Sequence, residues 1–125
     1  MELDLFTVLA AGPMDRDTLT ARLHLHPRAA RDFLDALVAL GMLARTDETS
    51  ANTPETDAFL VCGQPAYVGD YLDMLTIRLH PFWGVLTEAL RTGRPQNEAK
   101  HGGDPFGAIY GTPDLLRGFV QSMTA

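Results

Sequence analysis

Between residues 27 and 40, apolar side chains recur at three- and four-residue spacing, so that Ala30, Phe33, Leu34, Leu37 and Leu40 fall on one stripe. A stripe at that period predicts an amphipathic helix with one buried side. Pro27 suits its first turn and Gly41 suits its end. Upstream, Leu3, Leu5, Phe6, Val8 and Leu9 cover most of the circumference of a helix over 2–11, which Gly12-Pro13 closes. A helix apolar nearly all round needs cover on several sides, and a partner chain can supply it. A second helix is expected over 17–23, joined to the third through His24-Leu25-His26.

Past Gly41, the segments 42–45 and 50–52 flank the polar run 46–49 and predict a small two-stranded hairpin. Helix, turn, helix, then hairpin is the winged-helix order. Thr53-Pro54 opens a short helix over 54–59. Val68, Tyr71, Leu72, Leu75 and Leu79 then form one face of a longer helix, broadened by Met74 and Ile77. Pro81 must break or kink it. Phe82, Leu86, Ala89 and Leu90 resume the pattern, with Trp83 and Val85 beside it, until Thr92-Gly93; residues 94–103 read as a polar loop. Thr53, Asp104 and Thr112 each precede a proline as helix caps. The last helix, from Pro113, carries Leu115, Leu116, Phe119, Val120 and Met123 on one side and reaches Ala125 with no stop signal, as if sequence followed.

The fold class expected is therefore mainly α: a winged-helix-like core, a small two-stranded β wing and additional helices. With 125 residues, one domain is the natural count. Its winged-helix part is expected over 1–53 and the further helices over 54–125. At 46% hydrophobic and 21% charged, the chain has the composition of a folded globular protein.

The formal charge of −6 and a single lysine argue against nucleic-acid binding, which draws on clustered Lys and Arg. On the third helix, Arg28 and Asp32, and Arg31 and Asp35, are spaced to pair and so neutralise the face that would enter a groove. One cysteine, Cys62, excludes an intrachain disulfide and points to a reducing, cytoplasmic setting; it reads as a small buried apolar residue. No apolar run nears the roughly 18 residues of a membrane span.

Three stretches resemble small-molecule O-methyltransferases of the plant phenolic and bacterial natural-product type. They are Ala30 to Leu43, Asn52 to Leu60, and the series Phe82-Trp83, Leu86, Leu90, Gly93-Arg94-Pro95, Phe106, Phe119 and Met123. The first is similar to that family's third helix and its turn into the wing, and the second to the segment closing the wing. The third looks like its linker helices. The resemblance implies an N-terminal domain that makes a homodimer, with 54–125 as dimerisation and linker helices, and that closes one side of a pocket for a small aromatic acceptor. It implies that S-adenosylmethionine is bound by a separate C-terminal domain. It implies no cofactor and no catalytic residue in this stretch, which is not expected to be active alone.

The acceptor-facing candidates are Trp83, Asn97, Phe106, Tyr110 and Met123. Flat rings and a flexible methionine suit an adaptable aromatic-binding wall, and the same residues also serve as ordinary packing. Gln96 shares the loop of Asn97. His24 and His26 could chelate a metal, but no third ligand stands near and a solvated turn is expected, hence no metal. His80 and His101 are single histidines at a helix boundary and in a loop. Glu55 with Asp57, and Asp70 with Asp73, read as solvated helix faces. A winged-helix DNA-binding regulator and a free-standing accessory module are the rival classes.

Overall fold

The computed structural model describes residues 2–101, 103–104 and 106–124. Expectations resting on Met1, Pro105 and Ala125, and on the side chains of His101 and Leu115, lie outside these described residues. The chain divides into two compact units, Met1–Tyr67 and Val68–Ala125.

In the first unit, α1 (Leu5–Leu9) leads to a short strand β1 (Met14–Asp15), then α2 (Arg16–Arg22) and α3 (Pro27–Ala39). The hairpin strands β2 (Leu43–Thr46) and β3 (Thr49–Asn52) follow, and α4 (Pro54–Leu60) completes the set. The hairpin is in register Thr46 opposite Thr49 and Leu43 opposite Asn52. The sheet has a third antiparallel strand, because β1 pairs with β3 through Met14 opposite Ser50 and Asp15 opposite Thr49. The helix α4 packs on α1 and β3. The compact unit thus runs past the expected division after residue 53.

Local chemistry explains these boundaries. Asp15 accepts hydrogen bonds from the Thr18 N–H and hydroxyl, both at 2.8 Å, and so caps α2. His26 enters α3 as an N-cap, its Nδ1 accepting from the Arg28 N–H at 3.3 Å, with Pro27 next in line. The end of α3 turns on Gly41, whose φ is +72°. There the Gly41 N–H bonds to the Val38 carbonyl and the Met42 N–H to the Leu37 carbonyl, the paired closure of a Schellman end.

The core of this unit is Leu5, Phe6 and Leu9 from α1, Leu19 from α2, Ala30, Leu34 and Leu37 from α3, Leu43 and Val61. Three expectations change here. Leu40 is 72% exposed, because the helix has already ended and its side chain leaves the stripe. The over-apolar α1 finds cover for Leu5, Phe6 and Leu9 inside its own unit, where α4 and β3 meet it, while Leu3 stays exposed. Cys62 is exposed, its N–H donating to the Thr7 hydroxyl at 3.1 Å, and so is not the buried residue expected.

The second unit is helical throughout its regular elements: α5 (Gly69–Met74), a π-helical turn (Leu75–Leu79), α6 (His80–Trp83), α7 (Leu86–Thr92), a 3₁₀ turn (Glu98–His101), α8 (Gly107–Tyr110) and α9 (Pro113–Met123). The chain stays helical through Pro81, since the wider π turn just before it relieves the ring's clash with the preceding turn. The break falls instead at Val85, whose φ of −110° and ψ of 19° leave the helix. Gly93, at φ +65°, ends α7.

Candidate functional site

The second unit differs from the first in what it hides. Every apolar residue buried to core depth among the described residues lies between Leu5 and Val61. Of the fourteen exposed large hydrophobics among the described residues, eleven lie in the second unit, from Tyr71 to Met123. Exposed apolar side chains concentrated in one unit mark a surface that another molecule or segment can cover. The exposed side chains surround two concavities.

The first is a groove of about 240 Å³ between α5 with its π turn and α9. Met74, Ile77, Ile109 and Phe119 line it with apolar surface. Asp70, Asp73, Asp114 and Gln121 bring polar atoms, Arg78 is the one cation lining it among the described residues, and Arg117 pairs with Asp114 at 3.1 Å. The helices α5 and α9 pack directly on each other, and α8 packs on α9. Gly118 leaves the α9 wall bare, since a Cβ there would meet nothing within 4 Å. Beside the groove, Phe106 and Tyr110 lie parallel with ring centroids 6.2 Å apart, and Tyr110 meets Phe119 edge-on at 6.0 Å. These spacings are those of interacting aromatic pairs.

The second concavity, also about 240 Å³, is lined by Phe82, Trp83, Leu86, Ala89, Pro95, Gln96 and Asn97. Asn97 turns its own loop, its Oδ1 accepting from the Ala99 N–H at 3.1 Å. The Gln96 Oε1 is buried without a partner among the described residues. The loop is tied to the π turn by Arg78, whose Nε donates to Glu98 at 3.0 Å. Gly103 closes over it so tightly that a Cβ would collide with the Glu98 carbonyl.

Of the candidates read from sequence, the structure brings Trp83 and Asn97 into one concavity and sets Phe106 and Tyr110 in a stack beside the other. Met123 is exposed on α9, one turn beyond Phe119 on the same side. His80 is exposed on α6 and lines neither concavity. Asp70 and Asp73 are not simply a solvated face: both line the groove, and Asp73 is half-buried. Met74, Ile77 and Arg78 were also missed, because only the return of α9 makes their side of the helix a wall.

In the first unit, Asp35 accepts a hydrogen bond from Arg45 and faces Arg31 at 3.7 Å. The hydrogen bond from Arg45 lowers the Asp35 carboxyl below its ordinary value. The expected Arg28–Asp32 pair is not formed among the described residues. The hydrogen bonds from Thr18 likewise lower Asp15. Among the described residues, no group of three His, Cys, Asp or Glu is placed to hold a metal ion, and no helix is long and apolar enough to cross a membrane.

Comparison with known proteins identifies the setting. Residues 1–61 match the family model of the O-methyltransferase dimerisation domain. The chain is 48% identical over 126 aligned positions to the tetracenomycin polyketide synthesis 8-O-methyl transferase TcmO of Streptomyces glaucescens, covering 100% of this chain and 36% of that one. It is 35% identical over 118 positions to the N,N-dimethyltransferase OxyT of Streptomyces rimosus, covering 94% of this chain and 34% of the relative. Among solved structures, PigF with SAH superposes with a TM-score of 0.84 at 29% identity, over 97% of this chain and 37% of that one. The chain thus spans about a third of the length of these relatives. Its mostly helical fold, small antiparallel sheet and aligned sequence agree, and residues 1–61 belong to the O-methyltransferase dimerisation-domain family.

Proposed function

We propose that this chain pairs two copies of an S-adenosylmethionine-dependent O-methyltransferase and closes one side of the pocket for a small aromatic acceptor. The observation that carries this is the second unit's surface: apolar and aromatic side chains left uncovered around two concavities, on a chain whose first unit hides its own core well. A second copy and a flat acceptor would each bury part of it. That TcmO is named for a polyketide 8-O-methyl transfer supports an aromatic natural product as the acceptor class.

Within this reading Trp83 and Asn97 face the acceptor from one concavity, while Phe106, Tyr110 and Met123 line its approach to the groove beside Phe119. These residues would orient the acceptor, and orientation alone can lower a barrier by several kcal/mol. The residues described here do not fit a cradle for the methyl donor. The strands form one antiparallel sheet, and none leads through a glycine-rich turn into a helix as nucleotide-type cofactor sites require. The donor would be held by residues outside this stretch, in a cytoplasmic enzyme.

The reading leaves nucleic acid out, since Arg31 and Arg45 share Asp35 and the net charge is −6. Sedimentation equilibrium at micromolar concentration tests assembly directly: a dimer is expected, and a well-behaved monomer overturns that part. Anisotropy titration with duplex DNA at low salt should show no binding. Salt-sensitive binding there would favour the regulator instead.

A further inference from the structure

Beyond α7 the chain turns on Gly93, and residues 94–101 return along the unit as a strap. Pro95, Gln96 and Asn97 are its share of the second concavity's lining, and Phe82, Trp83 and Leu86 are part of the helical share. Between residues 94 and 100, two ion pairs tie the strap to other elements among the described residues. Glu98 accepts from the Arg78 Nε on the π turn at 3.0 Å, and the Lys100 ammonium meets Glu88 of α7 at 3.2 Å. The other hydrogen bonds of this stretch stay within it or return to Thr92 at its root. Against the two ties stand two unmade bonds. Gln96 Oε1 and the second oxygen of Glu98 are buried without a donor among the described residues. A buried acceptor left unmade disfavours a conformation at least as much as an ordinary made bond favours it.

We propose that residues 94–101 form a latched strap. It closes one side of the second concavity while its two ion pairs hold, and it swings out about Gly93 and Gly103 when they release. Gly93, at φ +65°, already uses backbone freedom at one end. At the other end Gly103 lies against the Glu98 carbonyl, where a Cβ would collide, so closure requires a residue with no side chain there. Opening costs the ion pairs, of which Lys100–Glu88 is a surface pair worth little. It returns Gln96 Oε1 and the Glu98 carboxylate to water, where both recover hydrogen bonds. Small terms of opposite sign leave the closed and open arrangements near balance, as in segments that open locally. The concavity, about 240 Å³ when closed, loses the wall of Pro95, Gln96 and Asn97 on opening and admits a larger occupant. The device works whatever that occupant is.

Trp83 is the one tryptophan of the chain and lines the concavity beside the strap. The 125-residue chain carrying 5-fluorotryptophan therefore gives a single reporter in fluorine-19 NMR. Arg78→Met keeps the arginine's stem but leaves Glu98 without its counter-charge, whereas Gly103→Ala obstructs closure by bulk. These unrelated changes should move the resonance to one common open-state position, and their combination should move it no further. Lys100→Glu sets like charges face to face at the surface tie, away from any core, and should raise the open population at least about twofold. Adding Glu88→Lys swaps the pair and should restore the parent signal. Separate positions for Arg78→Met and Gly103→Ala, or a further displacement in their combination, would mean local damage rather than a shared opening and would overturn the strap. Should those two variants fail to fold, the surface swap decides alone: no response to Lys100→Glu, or no recovery on adding Glu88→Lys, overturns the proposal equally.

Discussion

Arg78 on the π turn donates through Nε to Glu98 Oε1 at 3.0 Å, and the two side chains are only 26% and 20% exposed. The second oxygen of Glu98 is buried with no partner among the described residues. One bond thus joins the wall of the groove to the loop that carries Gln96 and Asn97. Removing the arginine leaves a mostly buried carboxylate without its counter-charge, which costs more than losing a surface pair. Arg78→Ala should lower stability by about 1–3 kcal/mol, between the values for exposed and fully buried pairs. Adding Glu98→Ala should recover part of that loss in urea unfolding, as the orphaned charge is then gone. If the double variant is no better than the single one, the penalty comes from packing of the arginine stem instead.

Leu34 and Leu40 lie on the same predicted stripe of α3 yet end in opposite environments, 1% and 72% exposed. Leu34→Ala removes three heavy atoms from the centre of the first unit and should cost about 2–5 kcal/mol. Leu40→Ala touches no core and should stay within about 0.5 kcal/mol. Chemical denaturation of the two variants side by side measures the contrast. Similar losses would mean that Leu40 is covered in solution, most simply by a second copy.

That contrast also shows how far the sequence could be read. Pro27, Gly41 and Thr53-Pro54 place helix ends by local backbone chemistry, so α3 and α4 begin within a residue of expectation and the wing follows in order. What failed was non-local. Met14 and Asp15 are too short to announce a strand, and only the edge of β3, some 35 positions later, makes them one. Asp70 and Asp73 look like a solvated face until α9 returns to build a groove against them. The aromatic candidates were identified as residues but not sorted between two concavities, because sorting needs the bend at Val85 and the loop closure on Glu98.

Asp15 and Asp35 give the first unit a defined acid response. Both carboxyls are lowered in the folded chain, Asp15 first by the Thr18 N–H and Asp35 first by the Arg45 hydrogen bond. A group whose folded value lies below its unfolded one, about 3.9 for Asp, contributes its stabilisation above the unfolded value and loses it as pH falls through the folded one. The thermal midpoint should therefore hold from neutral pH to about 4 and decline below that. Asp15→Asn keeps a cap but cannot titrate, so it should flatten the Asp15 part of the decline. An unchanged acid limb in this variant would assign the response to other carboxylates.

Gly41 and Gly118 are both open to a Cβ, but substitution should act in opposite directions. At Gly41 the φ of +72° is the obstacle, since nothing lies within 4 Å. Gly41→Ala should cost about 1–2 kcal/mol, the strain of an alanine in left-handed backbone. Gly118 sits within α9 with no positive φ and no neighbour in reach, so Gly118→Ala should stabilise by about 0.5–1 kcal/mol through the unfolded chain. Thermal melts resolve both signs.

Leu86 and Leu90 lie one turn apart as an exposed stripe on α7, Leu90 by 76%, and Trp83 is exposed at the end of α6 before the break at Val85. A charge at Leu90 disturbs no contact that holds the monomer together, so Leu90→Glu should leave the unfolding midpoint of a dilute sample within about 0.5 kcal/mol of the parent. If this stripe is the face that meets a second copy, the same charge is buried on association without a partner and weakens it by at least about tenfold. Sedimentation over a concentration series separates the two effects. Unchanged association would move the dimer contact off α7 and onto the exposed side of α9, where Leu116, Val120 and Met123 are the next residues to charge.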